Sequence, residues 1–287
     1  MKARMIFDCF TFYNELDLLE VRLDELYDVV DRFVLVEASQ TFQGNPKPLY
    51  FDENKQKFAR YADKITYVRI DFPEGDLTPL ITAHADNANW ARQYYQRDQI
   101  SQGLKQARPD DLIIISDVDE IISAPKLREA VATRRPNDLT IFEMPIYTGF
   151  VNRRVIGSPW EKGPRMIEFA KFPGAQRLRL TKMSASTRLG NNALSRLYTR
   201  YQNYILRGVL NRIQVIHDSG WHMTSIGDWN SHRQKMRAIS GFKRKERGEM
   251  PSEEAFEKQL SETTYAVDVS ELPKFIRENL SRFTLSS

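Results

Sequence analysis

The chain has one cysteine, Cys9, in 287 residues, so no disulfide can form within it. That excludes the disulfide-stapled scaffolds of small secreted proteins and suits a reducing compartment. Cys9 itself reads as a small buried hydrophobe in a strand. No apolar run approaches the length of a transmembrane helix. The opening MKARMIFDCF lacks the apolar core and cleavage site of a signal peptide and reads as a first strand, so the expected location is cytoplasmic. No Gly-x-Gly-x-x-Gly follows that strand and no P-loop motif occurs anywhere, which excludes Rossmann dinucleotide binding and P-loop chemistry. A haloacid-dehalogenase-type phosphatase would carry Asp-x-Asp on its first strand, which this chain does not. Internal repeats and low-complexity tracts are absent as well.

What is present is the composition of a soluble globular protein, 41% hydrophobic and 28% charged with a net charge of +4. We expect one domain over residues 1–247, with a nucleotide-binding half (1–122) and an acceptor-side half (123–247). Residues 248–287 are expected to form a helical extension packed on it. Basic residues gather in RQKMRAISGFKRKERGE, from Arg233 to Glu249. This stretch lacks the interleaved aromatics of a nucleic-acid platform, so no nucleic-acid partner is expected. It reads as a solvated helix face, or as a patch for a polyanionic substrate or an anionic membrane surface.

Hydrophobic periodicity orders the first third as strands alternating with helices. Arg4–Phe10, Arg32–Ala38, Ile65–Ile70 and Asp111–Ser116 are read as strands. Glu15–Asp28 is read as a helix with Leu16, Leu19, Leu23 and Leu26 on one face and Asn14 as N-cap. Trp90–Ala107 is a second helix, and the Gly/Pro/Asn-rich SQTFQGNPKPLYF is a loop. Further on come a short helix capped by Ser123, one strand in LTIFEMPIY, an irregular stretch from Thr148 to Ser186, and one last strand and turn in NRIQVIHDSGWHM. The segment PEGDLTPLITAHADNAN is long enough to act as a lid. The order predicts an α/β fold with a mainly parallel, Rossmann-like central sheet flanked by helices.

One strand ends abruptly in charge. In LIIISDVDEI the apolar residues run into Asp117, Asp119 and Glu120. Ligands of open α/β sheets bind beyond the carboxyl ends of the strands, and alternate residues of an extended chain point the same way. Asp117 and Asp119 can therefore converge on one point. Hard oxygen ligands suit Mg²⁺ or Mn²⁺, which bridge readily to phosphate oxygens. The bland alternative is a capped turn with its acids facing water.

The blocks FDCFTFYNELDLLEVRLDELYDVVDRFVLVEASQTFQGNPKPLYF, ARPDDLIIISDVDEI and GWHMT resemble glycosyltransferase family 17. The resemblance runs from about Met5 to Phe242 and is patchy from Ala124 to Asn211. It implies a GT-A-like fold, a divalent metal, and inverting transfer from a UDP-sugar, typically UDP-N-acetylglucosamine, to a glycan or other acceptor. It also implies site residues: Asp117 and Asp119 as metal ligands of the Asp-x-Asp motif, Glu120 as the acid that follows, and His222 completing the metal shell. Asn14, Glu15, Glu37 and Lys47 are implied at the nucleotide pocket. Arg97 either approaches the pyrophosphate or supports Asp117 or Asp119 as an ion pair. Inversion in one step needs a carboxylate base, for which Glu143, Glu168 and Asp218 are candidates. Arg177 and Arg179 match an Arg-rich stretch of the family and are candidates to hold a phosphate or anionic acceptor, the alternative being alternating strand residues that face solvent. Trp160, Trp221 and Trp229 are expected in the core, with sugar stacking as the alternative. A histidine common in the family is missing from AISGFKRKE. Two other readings stay open: a nucleotidyltransferase acting on a sugar phosphate, although the first loop lacks its Gly- and Lys/Arg-rich sequence, and a catalytically inactive carbohydrate-binding module.

Overall fold

The computed structural model describes residues 4–182, 212–227 and 252–283, and single positions at 197, 201, 204, 229, 230, 232, 233 and 285. Most of the basic stretch, and AISGFKRKE within it, lies outside the described residues. Along the chain come β1 (Ile6–Phe12), α1 (Leu16–Leu26), β2 (Arg32–Ala38), α2 (Tyr50–Glu53), β3 (Ile65–Ile70), α3 (Ala88–Asp98) and β4 (Leu112–Asp117). Then follow β5 (Glu120–Ile122), α4 (Ala124–Thr133), β6 (Leu139–Phe142), β7 (Ile146–Gly149), β8 (Arg153–Val155), β9 (Arg165–Glu168) and α5 (Ala175–Arg179). The last described elements are β10 (Ile213–Ile216), β11 (Gly220–Ile226), α6 (Glu253–Thr263), β12 (Thr264–Ala266) and α7 (Lys274–Glu278).

A seven-stranded sheet in the order β10-β6-β9-β4-β1-β2-β3 forms the centre. β9 alone runs against its neighbours β4 and β6; every other pairing is parallel. The expected α/β architecture is the one observed. Strands in such a sheet are buried on both faces, so they are apolar throughout. Ile6, Phe10, Leu112 and Ile114 join the core beneath α1, while Phe7, Cys9, Ile113 and Ile115 join the core on the other face, with Ala91 of α3. Cys9 is fully buried. Among the described residues, no helix is long and apolar enough to cross a membrane.

A second sheet, β12-β8-β7-β11-β5, was not foreseen. Three parallel strands of the large sheet pass directly into it: β4 into β5, β6 into β7, and β10 into β11. LTIFEMPIY is thus two strands in two sheets, broken at Pro145, which has no N–H to give to a ladder. NRIQVIHDSGWHM is likewise two strands. The C-terminal segment contributes β12, which pairs with β8, and α7, whose Phe275 and Ile276 share a core with Leu18 and Val21 of α1. It is therefore not purely helical. α1 buries Leu18 and Val21 as well as the expected Leu19, Leu23 and Leu26, because it is covered on two sides. Asn14 does not cap it: the N-cap is Glu15, with no side-chain cap hydrogen bond. α3 ends at Asp98 and continues as a 3₁₀ turn, where Gly103 lies so close to Val34 that a Cβ would stand 2.3 Å from its Cγ1.

Gly220 shows how tightly the crossing is built. Its φ is +150°, and a Cβ there would meet the carbonyl oxygen of Ile121 at 2.1 Å and the amide of Ser123 at 2.8 Å. Gly220→Ala is expected to lower stability by more than about 2 kcal/mol, since the clash is with backbone and a strained φ adds to it. Gly75, at φ +85° with nothing within 4 Å, is the control, and its Ala variant is expected to lose only about 1 kcal/mol. Urea unfolding midpoints of the two variants test this; equal losses would contradict it.

Candidate active site

Asp117 is the last residue of β4, and its side chain follows the alternation of the strand. Ser116 faces α1, whereas Asp117 lies opposite Thr11 of β1 on the face covered by α3 and α5. The chain then turns at Val118 and Asp119 before β5 begins. The turn ends the alternation, so the extended-strand argument for converging carboxylates does not hold past Asp117. Both aspartates nonetheless line one cleft, together with Thr11, Tyr13, Glu15, Gln40, Phe42, Lys47 and Gln96.

Two arginines hold Asp117. Arg97 of α3 donates to Oδ1 at 2.7 Å and Arg179 of α5 to Oδ2 at 3.2 Å, and the Thr11 hydroxyl adds a bond of 3.2 Å to Oδ1. Arg97 is thus the ion-pair support, 3% exposed and also bonded to Gln176, and does not line the cleft. Arg179 belongs to a helix rather than a strand and points inward, whereas Arg177 beside it binds the carbonyl of Thr82. Burial opposes charge on Asp117, but the two guanidiniums outweigh it and hold the carboxyl well below the usual carboxylate range. The stabilisation from a lowered pKa is complete above the unfolded value of about 3.9 and is lost only as pH falls through the lower folded value. We therefore expect the Asp117 carboxyl resonance to show no protonation step between pH 7 and about 4 in a carbon-13 titration. A midpoint at or above the ordinary value would contradict the clamp.

Glu120 is fully buried and serves the turn from within. Its carboxylate accepts the N–H of Asp117 at 3.1 Å, the indole N–H of Trp160 at 2.6 Å, and a very short bond from Arg179. Trp160 in turn lies against His222, with ring centroids 4.6 Å apart. On β11, His222 pairs with Glu120, which brings its Nε2 to 4.0 Å from Oδ1 of Asp119. Its Nδ1 is buried and, among the described residues, has no hydrogen-bond partner.

Among the described residues, no group of three His, Cys, Asp or Glu side chains is disposed to hold a metal ion. The expected triad of Asp117, Asp119 and His222 is therefore not assembled, because Asp117 is committed to its arginines. A pair remains. Two ligands each about 2.1 Å from one ion lie at most about 4.2 Å apart, so Asp119 and His222, at 4.0 Å, stand just inside the limit for sharing one divalent cation and would close slightly on it. Carboxylate and imidazole are apt donors for Mn²⁺.

Behind the turn lies a feature the sequence reading missed. Arg22 of α1 is fully buried and grips both oxygens of the equally buried Asp8, at 2.7 and 2.5 Å. Its remaining N–H groups reach the Ser116 hydroxyl at 2.6 Å and the carbonyls of Asp117 at 3.1 Å and Glu120 at 2.8 Å. One guanidinium thus fixes the backbone of the acidic turn from the α1 side. The available signal was an aspartate inside the apolar FDCF and an arginine on the helix that follows it.

At the other end of the cleft, Lys47 is 4% exposed at its side chain. It binds Glu37 at 3.2 Å and the carbonyls of Pro48 at 3.0 Å and Tyr13 at 3.4 Å. Glu37 also takes the Phe51 N–H and the Tyr67 hydroxyl, and stands behind Lys47 rather than in the cleft. Burial pushes Glu37 up and Lys47 down, and each charge opposes the shift of the other. The pair fastens the loop 39–48 to the sheet. Glu15 lines the cleft and accepts the N–H groups of Tyr13 and Asn14. Asn14 is not among the lining residues. The segment expected as a lid is pinned at Thr82, whose N–H and hydroxyl bind Asp98.

The three candidate bases lie elsewhere. Glu168 pairs in register with Leu112 at the start of β4, the far end from Asp117, and binds Arg134. Glu143 binds His217 at 2.8 Å. Asp218, at φ +46° in the turn before β11, is exposed and faces Arg154 at 3.5 Å. None of the three lines the cleft. Trp221 donates to the Glu271 carbonyl, and Trp229 packs against Phe256.

Residues 1–130 match the model of Glycosyltransferase family 17. Over 121 residues the chain is 38% identical to the β-1,4-mannosyl-glycoprotein 4-β-N-acetylglucosaminyltransferases of Rattus norvegicus and Homo sapiens. The match covers 41% of this chain, and the chain spans 22% of the length of those relatives. Among solved structures, the inositol-1-phosphate CTP transferase from T. maritima is 11% identical, with 84% of this chain and 97% of that one covered at a TM-score of 0.41. Glucosyl-3-phosphoglycerate synthase from Mycobacterium tuberculosis, solved with Mn²⁺, UDP and phosphoglyceric acid, is 12% identical, with coverage of 75% and 69% at a TM-score of 0.38.

Proposed function

We propose that the protein is a GT-A-like glycosyltransferase that moves a sugar, N-acetylglucosamine, from its UDP donor to a hydroxyl of a glycan or polyanionic acceptor, with inversion. The observation that carries this most is one of placement. Among the described residues, the cleft at the carboxyl end of the parallel sheet is lined by residues between Thr11 and Asp119, all inside the segment that matches family 17. A strand-end cleft of an open α/β sheet is where such folds hold nucleotides.

At its edge, Asp119, which lines it, and His222, which stands 4.0 Å behind Asp119 and outside the lining, would hold a divalent cation, Mn²⁺ or Mg²⁺. When bound, such a cation neutralises the charge that develops on a departing diphosphate. Arg97 and Arg179 keep Asp117 anionic and fixed, Arg22 fixes the backbone it springs from, and Glu120 ties the turn to Trp160 beside His222. The lysine-anchored loop 39–48 walls the opposite side. Such preorganisation means that the site need not rearrange as charge moves. The acceptor hydroxyl must lose a proton as it attacks, and the cleft carboxylates are Glu15, Asp117 and Asp119.

Calorimetric titration of UDP with Mn²⁺, and then with EDTA, tests the reading. Binding is expected only with Mn²⁺. Equal binding in EDTA would remove the cation, and no binding in either condition would remove the donor.

A further inference from the structure

Resting on the nucleotide-donor reading, we propose that Gln96 and Gln40 read the base, selecting an imide edge and therefore uracil over cytosine. A side-chain amide has a donor end and an acceptor end, and the end it offers a ligand is the one the protein leaves unused. For both residues the protein fixes that choice through backbone groups that can play only one role.

Gln96 of α3 directs its Nε2 to two backbone carbonyls, Val36 at 2.8 Å and Phe12 at 3.3 Å. Carbonyls only accept, so the –NH₂ end is turned to the ends of β1 and β2. The carbonyl oxygen of Gln96 is the end left over. Among the described residues it has no protein partner, and it is not sealed from solvent. Gln96 is 3% exposed, and what little shows opens into the cleft.

Gln40 has the reverse setting. Its Oε1 accepts the backbone N–H of Phe72 at 3.2 Å. A backbone N–H only donates, so here the carbonyl end is used and the –NH₂ end is left for the cleft that Gln40 also lines.

The cleft thus offers a fixed acceptor from one glutamine and a fixed donor from the other. Uracil presents N3–H, a donor, beside carbonyl acceptors, and matches that pattern. Cytosine held in the same register presents a bare N3 acceptor where uracil has N3–H and an amino donor where uracil has its O4 carbonyl, and so opposes that pattern at both positions. A site built to hydrogen-bond one pattern leaves its own polar groups unpaired with the other, which is an effective basis for discrimination.

The test is calorimetry with UDP and CDP, in Mn²⁺, on the wild-type chain and on Gln40→Glu. The carboxylate of Gln40→Glu can still accept the Phe72 N–H but replaces the donor end with an acceptor. The wild type is expected to bind UDP about ten- to a hundredfold tighter than CDP. Gln40→Glu should weaken UDP by about tenfold or more and shift the ratio toward CDP. Gln96→Leu should bring the two diphosphates close to equal affinity, with circular dichroism confirming its fold. Equal binding of UDP and CDP by the wild type, or an unchanged ratio in Gln40→Glu, would overturn the base assignment while leaving the donor reading in place. Binding of neither diphosphate would overturn both.

Discussion

Arg22→Met is expected to destabilise the protein by about 3–5 kcal/mol, the largest loss we anticipate from a single substitution away from the cleft. Methionine keeps much of the volume, so the effect is one of charge and hydrogen bonding. It would leave Asp8, fully buried, with no counter-ion. It would also strip the carbonyls of Asp117 and Glu120 of a donor. Breaking a buried pair costs far more than the pair contributes, because the surviving charge is stranded. The double variant Arg22→Met/Asp8→Leu should therefore recover a large part of the loss. Guanidinium denaturation of the single and double variants measures both. A double variant no more stable than Arg22→Met would mean that the carbonyl contacts dominate and the ion pair does not. Because the same guanidinium fixes the acidic turn, the double variant should bind UDP weakly even where it folds well.

Asp119→Asn is expected to do the opposite, leaving the fold intact while removing function. The backbone carbonyl of Asp119 takes the N–H of Met223 at 2.8 Å whatever side chain is attached, so the link between the turn and β11 survives. The near-isosteric amide loses the negative charge that faces His222. Mn²⁺-supported UDP binding should fall by about a hundredfold or more, since even outer-shell partners of metals contribute ten- to a hundredfold. Unfolding midpoints should barely move. A direct optical readout is available, because Trp160 lies 4.6 Å from the His222 ring. Paramagnetic Mn²⁺ should quench tryptophan fluorescence in the wild type and much less in Asp119→Asn. Undiminished quenching and UDP binding in the variant would remove Asp119 and His222 as the cation pair.

Much of the α/β framework was legible because its signals are local. The apolar strands Arg32–Ala38 and Ile65–Ile70 carry their boundaries in composition alone, and the acidic end of β4 announces itself. The cleft lining, from Thr11 to Asp119, falls within the part of the chain that reads most clearly. What failed did so where a local pattern meets a distant partner. Arg179 has the alternation of a strand residue, yet it sits on a short helix and turns inward to Asp117 and Glu120. Glu120 looks like one more acid of the motif, but burial beside Trp160 and Arg179 makes it part of the scaffold.

The sequence by itself determined which residues could form a parallel sheet and where that sheet would end in carboxylates, since strand periodicity and charge are properties of neighbours along the chain. Only the tertiary structure decided what each carboxylate does. Asp117 and Asp119 are chemically identical and two residues apart. The turn at Val118 gives one to Arg97 and Arg179 on one face of the sheet and the other to His222 on the second sheet. Burial and the charge brought alongside set the role of an ionisable group, and both come from elements far away in the chain.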